Sequence, residues 1–337
     1  MRYRRMGNTD LSLSEIAFGC GGNAGLMTAD AKLEQCRAVA HAIDLGINYF
    51  DNAPDYGDGL AEANLGHALR DVGVRPIVGS KVEIRAADLA DIAGHIRRSV
   101  DQSLSRLGLD YLDILQIHNG PAPHTPILEG RSYWQLSMAD FFKPNGAIAG
   151  LKQVLDAGKA RHVGFICRGN DIGAVRQLLD TGLFRLINVP YTLLNPTAGR
   201  FHAAPQVKEN LGGVIEEAAK RGVGVAVYSP LAGGMLTEEC IDSTGPMSPT
   251  MKRLPLDAFR RFQAMAASVR RVSRSAGHDL PRFAYRFILD NPGVTTVIGG
   301  FSKLEQLDEL SSASEIASLA PDIMRRLEEL WRNNFDD

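Results

Sequence analysis

The chain has 337 residues, of which 45% are hydrophobic and 23% are charged, and its formal net charge is −2. This is the composition of an ordinary globular protein that is long enough to bury a large core without disulfides or metals. Basic residues are dispersed among acidic ones, which argues against nucleic acid as a partner, and no run approaches the roughly 18 apolar residues of a membrane span.

The cysteines show no close pairing pattern, which in a chain of this size fits reduced thiols in the cytoplasm. The basic N-terminus, MRYRRMGNTD, leads into no apolar stretch, so we expect no secretory signal and a cytoplasmic location. Cys20 and Cys167 each end or follow a predicted strand, but histidines at metal-ligand spacing are missing around them. We therefore predict no metal site.

Short apolar runs alternate with amphipathic segments from one end of the chain to the other. Eight runs predict β-strands that are apolar on both faces, as is typical of buried parallel strands. The segment before them, centred on GNTD, predicts a short hairpin. The eight predicted strands are Ile16–Cys20, Asn48–Asn52, Pro76–Lys81, Leu112–Ile117, Arg161–Phe165, Leu186–Val189, Gly224–Tyr228 and Thr296–Gly299.

Segments whose apolar residues recur every three or four positions predict helices between these strands. Several are followed by glycine, a common residue just after a helix C-terminus. The predicted helices are Ala29–Leu45, Ala87–Leu107, Ala147–Ala157, Asp171–Thr181, Gly212–Arg221, Leu256–Ala276, Pro281–Asp290, Leu304–Ser311 and Pro321–Asn333.

Eight strands alternating with helices predict a (β/α)8 TIM barrel that forms a single domain over residues 1–337. The alternative is a doubly wound sheet, but its first strand is usually followed by GxGxxG, whereas GCGGNAG here lacks that spacing. Long loops follow the fourth and seventh strands, over Asn119–Asn145 and Leu231–Pro255. In a barrel both lie on the catalytic face, where they either build a site or are tolerated insertions.

Ionisable residues stand at the carboxyl ends of three consecutive predicted strands. Asp51 ends the second strand and Tyr56 follows in its loop, Lys81 ends the third strand, and His118 follows the fourth. Each of these residues taken alone is ordinary at a strand end. Because consecutive strand ends are neighbours in a barrel, we expect the four side chains to converge on one pocket.

These four side-chain types share a chemical logic. A phenol with a pKa of about 10 is a poor acid near neutrality, and a nearby ammonium lowers that pKa. A carboxylate keeps the ammonium charged and in place, and a neutral imidazole orients a carbonyl oxygen beside the phenol. Together they form a proton donor aimed at a carbonyl group. They carry no hydride, so a cofactor must supply it.

The chain resembles the aldo-keto reductase family over nearly its whole length. The motifs that carry this resemblance are GINYFDNAPDYG, SLSRLGLDYLDILQIH, GKARHVGF, VAVYSPLAGGML and TTVIGGFSKLEQLDE. The resemblance implies a (β/α)8 barrel and a nicotinamide cofactor bound in extended form without a Rossmann fold. It also implies a catalytic tetrad of Asp51, Tyr56, Lys81 and His118, with Tyr56 as general acid in reduction and general base in oxidation.

The resemblance further implies a set of cofactor-binding residues. Tyr228 matches the aromatic residue that stacks on the nicotinamide, and Ser229 and Leu231 match residues along the pyrophosphate. Lys303, in a segment that matches the adenosine end, favours NADP(H), with NAD(H) left open. The implied set is Gly21, Gly22, Asn188, Tyr228, Ser229, Leu231, Gly300, Ser302, Lys303, Gln306 and Glu309.

The sequence also departs from the family pattern. Ile166 and Cys167 stand where a Ser-Asn pair often holds the nicotinamide carboxamide, and neither can replace it. We consider Arg168 and Asn170 as candidates for that contact. Other departures are Asn188 for the usual Gln, Leu310 for an adenine-contacting Asn, and Asn52 for Thr.

The leading interpretation is an NADP(H)-preferring oxidoreductase that reduces an aldehyde or ketone, or oxidises a sugar or alcohol in reverse. One alternative is a nucleotide-sensing protein like the potassium-channel β-subunits that resemble this family, and another is a barrel aldolase with Lys81 as a Schiff base. Tyr133 and Trp134 are predicted to line the substrate pocket or to cover the barrel mouth. Neither the substrate nor the oligomeric state is predicted.

Overall fold

The computed structural model describes residues 1–22, 24–124, 135–168, 171–199, 209–248 and 250–336. The residues considered above for substrate binding, Tyr133 and Trp134, and the candidate carboxamide residue Asn170 lie outside the described residues.

Eight parallel strands close into a barrel, which confirms the predicted (β/α)8 fold. The barrel order is β3, β4, β5, β6, β9, β10, β11 and β12, and pairing of Val297 with Ile16 joins the last strand to the first. The described strands are β1 Tyr3–Arg5, β2 Ser12–Ser14, β3 Ile16–Gly19, β4 Tyr49–Asp51, β5 Ile77–Val82, β6 Leu112–Ile117, β7 Gly120–Ala122, β8 Gln135–Ser137, β9 Ala160–Ile166, β10 Phe184–Pro190, β11 Gly224–Tyr228 and β12 Thr296–Gly300.

Helices surround the barrel, and each predicted helix occurs within a few residues of its predicted bounds. The described helices are α1 Lys32–Asp44, α2 Leu60–Val72, α3 Ile92–Leu107, α4 Met138–Phe142, α5 Ala147–Asp156, α6 Ile172–Asp180, α7 Val214–Lys220, α8 Glu238–Ile241, α9 Leu256–Ser275, α10 Leu280–Leu289, α11 Glu305–Ser311 and α12 Pro321–Arg332. Among the residues that the structure describes, no helix combines the length and the hydropathy of a membrane span.

Helix α2 is absent from the sequence predictions, and a glycine explains why. Gly66 stands in the middle of the helix, where glycine lowers intrinsic helix propensity by about 1 kcal/mol relative to alanine. In the structure a Cβ atom at this position would lie 2.4 Å from the carbonyl oxygen of Leu107. Glycine therefore lets α2 approach the C-terminal end of α3 closely.

The predicted hairpin is present and closes the amino end of the barrel. Strands β1 and β2 pair antiparallel, and the amide of Asn8 in their turn donates to the Gly222 carbonyl, just before β11. Apolar hairpin residues pack on inward-facing residues of the barrel strands. This buried cluster comprises Met6, Leu11, Leu13, Ala17, Tyr49, Ile114, Leu186, Ala226 and Ile298.

The two predicted long loops contain short elements of their own. In the loop after β6, strand β7 pairs with β8, with Gly120 opposite Gln135, and helix α4 follows. The loop after β11 contains helix α8. Both loops begin at the carboxyl end of the barrel, as predicted from their positions after strands.

Candidate active site

Parallel pairing brings the ionisable strand-end residues to one rim of the barrel. Asp51 is the last residue of β4, Lys81 is the penultimate residue of β5, and His118 directly follows β6. Asp51 pairs with Gly79, and Lys81 pairs with Gln116, so the three positions follow one another around the barrel.

The ammonium of Lys81 is the centre of the site. Its Nζ donates to Oδ2 of Asp51 at 2.6 Å, to the carbonyl oxygen of Asn52 at 2.7 Å and to the hydroxyl of Tyr56 at 3.4 Å. Burial disfavours the charged amine, but Asp51, Tyr56 and Asp55 together outweigh it and raise the pKa of Lys81. The amine therefore stays protonated beside the phenol.

Tyr49 holds the second oxygen of the Asp51 carboxylate, a contact that the sequence did not predict. Its hydroxyl donates to Oδ1 of Asp51 at 3.1 Å, and both side chains are buried. The signal was present, because residues two apart on a strand share a face. Tyr49 thus binds Oδ1 of Asp51, and Lys81 binds Oδ2.

Tyr56 lies in the loop after β4, with its ring centroid 5.0 Å from Nζ of Lys81. Burial raises the pKa of the phenol, and the charge of Lys81 lowers it; the net direction is upward. Tyr56 is therefore protonated near neutral pH, as a proton donor must be.

His118 is held between groups of opposite charge. Its Nδ1 lies 3.1 Å from Oδ1 of Asp55, and its Nε2 lies 2.9 Å from Nη2 of Arg168. The Nδ1 contact lacks hydrogen-bond geometry and is mainly electrostatic. The imidazole meets the ring of Tyr56 edge-on, with centroids 6.0 Å apart.

The charges around His118 follow from burial and pairing. Burial lowers the pKa of His118 although Asp55 opposes this, so the ring is neutral near pH 7. Burial would raise the pKa of Asp55, but His118 and Lys81 outweigh it and the pKa is lowered. Sequence reasoning gave Asp55 no role because nothing local links it to His118, 63 residues away.

Residues proposed for the nicotinamide end lie around the same rim. A Cβ atom on Gly21 would be 3.6 Å from Cζ of Tyr56, so this glycine borders the phenol, and Gly22 beside it is exposed. Asn188 is buried in β10 and its Oδ1 accepts from Nε2 of Gln116 at 2.8 Å. The Oε1 of Gln116 is also buried and has no hydrogen-bond partner among the described residues, as fits a site that receives a polar ligand.

The turn after β11, proposed for the phosphates of the cofactor, contains four described residues with positive φ. Tyr228 is half-buried at the strand end, and Ser229 adopts a φ of 51°. Leu231 is followed by three more residues with positive φ, among them Ala232 at 50°. The amides of Ala232 and Gly234 donate to the carbonyl oxygens of Ser229 and Leu231, so backbone hydrogen bonds within the turn hold this conformation.

The segment proposed for the adenosine end follows β12. Gly300, Ser302, Lys303 and Glu309 are exposed, and Gln306 is half-buried. Oε1 of Gln306 accepts from the backbone amides of Ser302 at 2.8 Å and Lys303 at 3.3 Å. These amides bind a phosphate only if Gln306 turns away.

The departures from the family pattern are visible in the packing. Ile166 and Cys167 are each 2% exposed, so neither offers a polar group to a ligand, and burial raises the pKa of the thiol. Leu310 packs in the core. Arg168 is the second residue after β9, and its side chain reaches His118.

Fold and geometry together define a (β/α)8 barrel protein with a polar centre at the carboxyl ends of its strands. The sequence model of the aldo/keto reductase family matches residues 15–332. The chain belongs to the aldo/keto reductase family, whose members are generally oxidoreductases.

The relatives cover nearly the whole chain. L-galactose dehydrogenase of Arabidopsis thaliana is 29% identical over 326 residues, which are 96% of this chain and 91% of that protein. A probable voltage-gated potassium channel subunit beta of the same plant is 24% identical, and the match covers 98% of this chain and 96% of that protein. The holo form of an aldo-keto reductase from Bacillus halodurans superposes with a TM-score of 0.72 at 22% identity, covering 98% of this chain and 96% of that chain.

Proposed function

We propose that the protein is an NADP(H)-preferring oxidoreductase that reduces an aldehyde or ketone, or oxidises a sugar or alcohol in reverse. The observation that carries this proposal is the buried ammonium of Lys81, which binds the carboxylate of Asp51 and the hydroxyl of Tyr56 at once. This is the donor set that proton delivery to a carbonyl oxygen requires.

The protein's own groups divide the work as follows. Tyr56 donates its proton to the oxygen of the substrate, and the charge of Lys81 stabilises the phenolate that remains. Asp51 keeps Lys81 charged, and Tyr49 keeps Asp51 in place. In oxidation the same phenolate accepts the proton of the alcohol.

Bound NADP(H) supplies the hydride in reduction and takes it in oxidation. The residues that would hold its nicotinamide end are Gly21, Gly22, Asn188 and Tyr228, with Ser229 and Leu231 along the phosphates. Lys303 is the reason for preferring the 2′-phosphate form. Gly300, Ser302, Gln306 and Glu309 complete the adenosine end.

A small carbonyl compound or a sugar is the proposed substrate. The relative named L-galactose dehydrogenase supports a sugar. Tyr133 and Trp134 stay proposed substrate residues from the sequence.

A nucleotide-sensing role is the second candidate. It is favoured by the match to a probable potassium channel subunit beta and by the apolar pair Ile166 and Cys167, which cannot hold a carboxamide. A sensor of this kind binds NADPH tightly but turns it over little with any aldehyde.

Substitution of Tyr56 by Phe tests the leading proposal. NADPH oxidation is followed with a panel of aldehydes and sugars, NADP+ reduction with sugars and alcohols, and both are repeated with NAD(H). We expect Y56F to lose roughly 100-fold or more in kcat, the usual contribution of a general acid, while its Kd for NADPH stays within about threefold of the parent.

Tyr111→Phe is the matched control, because Tyr111 lies outside the site against Arg75. It is expected to keep parent kinetics. Turnover by Y56F above about a tenth of the parent rate overturns the assignment of the acid. Tight NADPH binding without turnover of any compound in the panel supports the sensing role instead.

A further inference from the structure

Three charged or polar side chains form a chain across the barrel mouth. The carboxylate of Asp55 contacts Nδ1 of His118 at 3.1 Å, and Nη2 of Arg168 contacts Nε2 at 2.9 Å. Asp55 belongs to the loop after β4, His118 follows β6 and Arg168 follows β9. His118 is 4% exposed, so both contacts are largely shielded from solvent.

The contact with Arg168 defines the tautomer of His118. A guanidinium has only donors, so Nε2 must offer its lone pair to Arg168. A neutral imidazole carries one ring proton, so when Nε2 accepts, that proton is on Nδ1, the nitrogen nearer Asp55. A neutral ring in this form has no N–H at Nε2 with which to bind a substrate oxygen.

The backbone of Arg168 is held by the long loop after β6. A Cβ atom on Gly120 would lie 2.3 Å from the carbonyl oxygen of Arg168, so β7 passes directly against it. The side-chain amide of Gln135 in β8 donates to the same oxygen at 3.3 Å. The loop after β6 therefore positions this residue.

We propose that Arg168, not His118, is the second donor to the reacting oxygen and that it selects carbonyl compounds with a hydroxyl on the adjacent carbon. His118 and Asp55 are then positioning residues, because His118 contacts the guanidinium and also meets the ring of Tyr56 edge-on. This inference rests on the proposed reductase function and names its substrate class.

The geometry of a guanidinium gives this preference. Its planar fork presents parallel N–H groups that match two neighbouring oxygens, whereas a lysine ammonium is a point charge. One N–H bonds the carbonyl oxygen and another bonds the hydroxyl of an α-hydroxy aldehyde or open-chain sugar. A plain aldehyde offers only the first oxygen.

The test compares glyceraldehyde with propanal, which lacks both hydroxyls. The parent protein is expected to prefer glyceraldehyde in kcat/KM. R168M is expected to reduce that preference roughly 10- to 100-fold, the worth of one charge-assisted hydrogen bond. R168K keeps the positive charge but lacks the parallel N–H groups of the guanidinium. It should recover reduction of propanal and little of the preference for glyceraldehyde.

Arg176→Met is the matched control, since Arg176 pairs with Glu217 on the surface and lies outside the site. This substitution should leave kcat/KM unchanged for both aldehydes. NADPH binding by R168M, measured by fluorescence quenching, should stay within about threefold of the parent. In 15N NMR spectra the ring signals of His118 are identified by their absence in H118Q. In the parent these signals should show the Nδ1–H tautomer.

Specific results overturn the inference. An unchanged preference in R168M, or a loss confined to NADPH affinity, assigns Arg168 to the nicotinamide carboxamide or to no ligand. An Nε2–H tautomer restores His118 as the donor. If the parent turns over neither aldehyde, the proposed function fails and this inference with it; if turnover depends on Tyr56 but the preference is independent of Arg168, the inference alone fails.

Discussion

The ionisation of Tyr56 depends on two opposing influences at the residue scale. Burial raises the pKa of the phenol, and Lys81 at 3.4 Å lowers it, with burial prevailing. Reduction uses the protonated form, so it should persist through neutral pH and fall only on the alkaline side. Oxidation uses the phenolate, so it should rise with pH.

Removal of the Lys81 charge should therefore change the two directions unequally. In Lys81→Met the pKa of Tyr56 rises further, so less phenolate is present to act as the base in oxidation. The increase of the oxidation rate with pH therefore shifts to higher pH. We expect a loss of roughly 100-fold or more in oxidation at pH 8, read from pH profiles of kcat in both directions. Lys220→Met, on the surface beside Glu216, is the control. A profile identical to that of the parent would contradict the proposed pairing.

Some residues of the site were predictable from the sequence, and others were not. Asp51, Tyr56, Lys81 and His118 were predicted as a group because each stands at the carboxyl end of a strand or in the loop that follows it. Tyr49 was missed although its alternation with Asp51 was readable. The contact of Arg168 with His118 was not readable, because it joins loops that are 50 residues apart.

At the scale of elements, the packing of α2 on α3 depends on Gly66. A Cβ atom there would lie 2.4 Å from the backbone oxygen of Leu107, an atom that cannot rotate away. The same glycine weakens the helical signal in the sequence. Propensity and packing therefore conflict at this residue, and packing prevails.

Substitution of Gly66 by Ala should therefore destabilise the protein. We expect a loss of about 1–3 kcal/mol in the free energy of unfolding, the usual cost of overpacking, measured by urea denaturation. The control is Gly173→Ala in α6, where the site is exposed and the nearest atom is the Asp171 carboxylate at 3.2 Å. There alanine should be neutral or stabilise by up to about 1 kcal/mol. Equal effects of the two substitutions would refute the steric account.

On the scale of the whole molecule, the barrel separates stability from chemistry. The hairpin closes the amino end through Met6 and Leu13, and the ionisable residues lie at the carboxyl end. This division is general in (β/α)8 barrels, since loops after the strands carry the site and loops before them carry stability.

Truncation of Leu13 to alanine tests this separation. Leu13 is fully buried, so we expect a loss of about 2–5 kcal/mol in stability and a fall in Tm of several degrees. Kinetic constants at a temperature where the protein remains folded should stay unchanged. Leu33→Ala, at a leucine that is 67% exposed, should alter neither property. A large fall in kcat with L13A would show that the two ends are coupled.

The amino-acid sequence by itself determined the eight strands, most of the helices, the hairpin and the barrel. These features follow from local periodicity and turn residues, which neighbouring residues express without help from the rest of the chain. It also placed the four ionisable residues at strand ends or in the loops that follow them, because position relative to a strand is local as well.

Only the tertiary structure decided how those residues act. Closure of the barrel buried Lys81 and joined it to Asp51, and burial set the direction of the pKa of Tyr56 and of His118. It also brought Arg168 to His118. Distances, burial and charge pairing between remote segments are properties of the folded chain, so no local pattern encodes them.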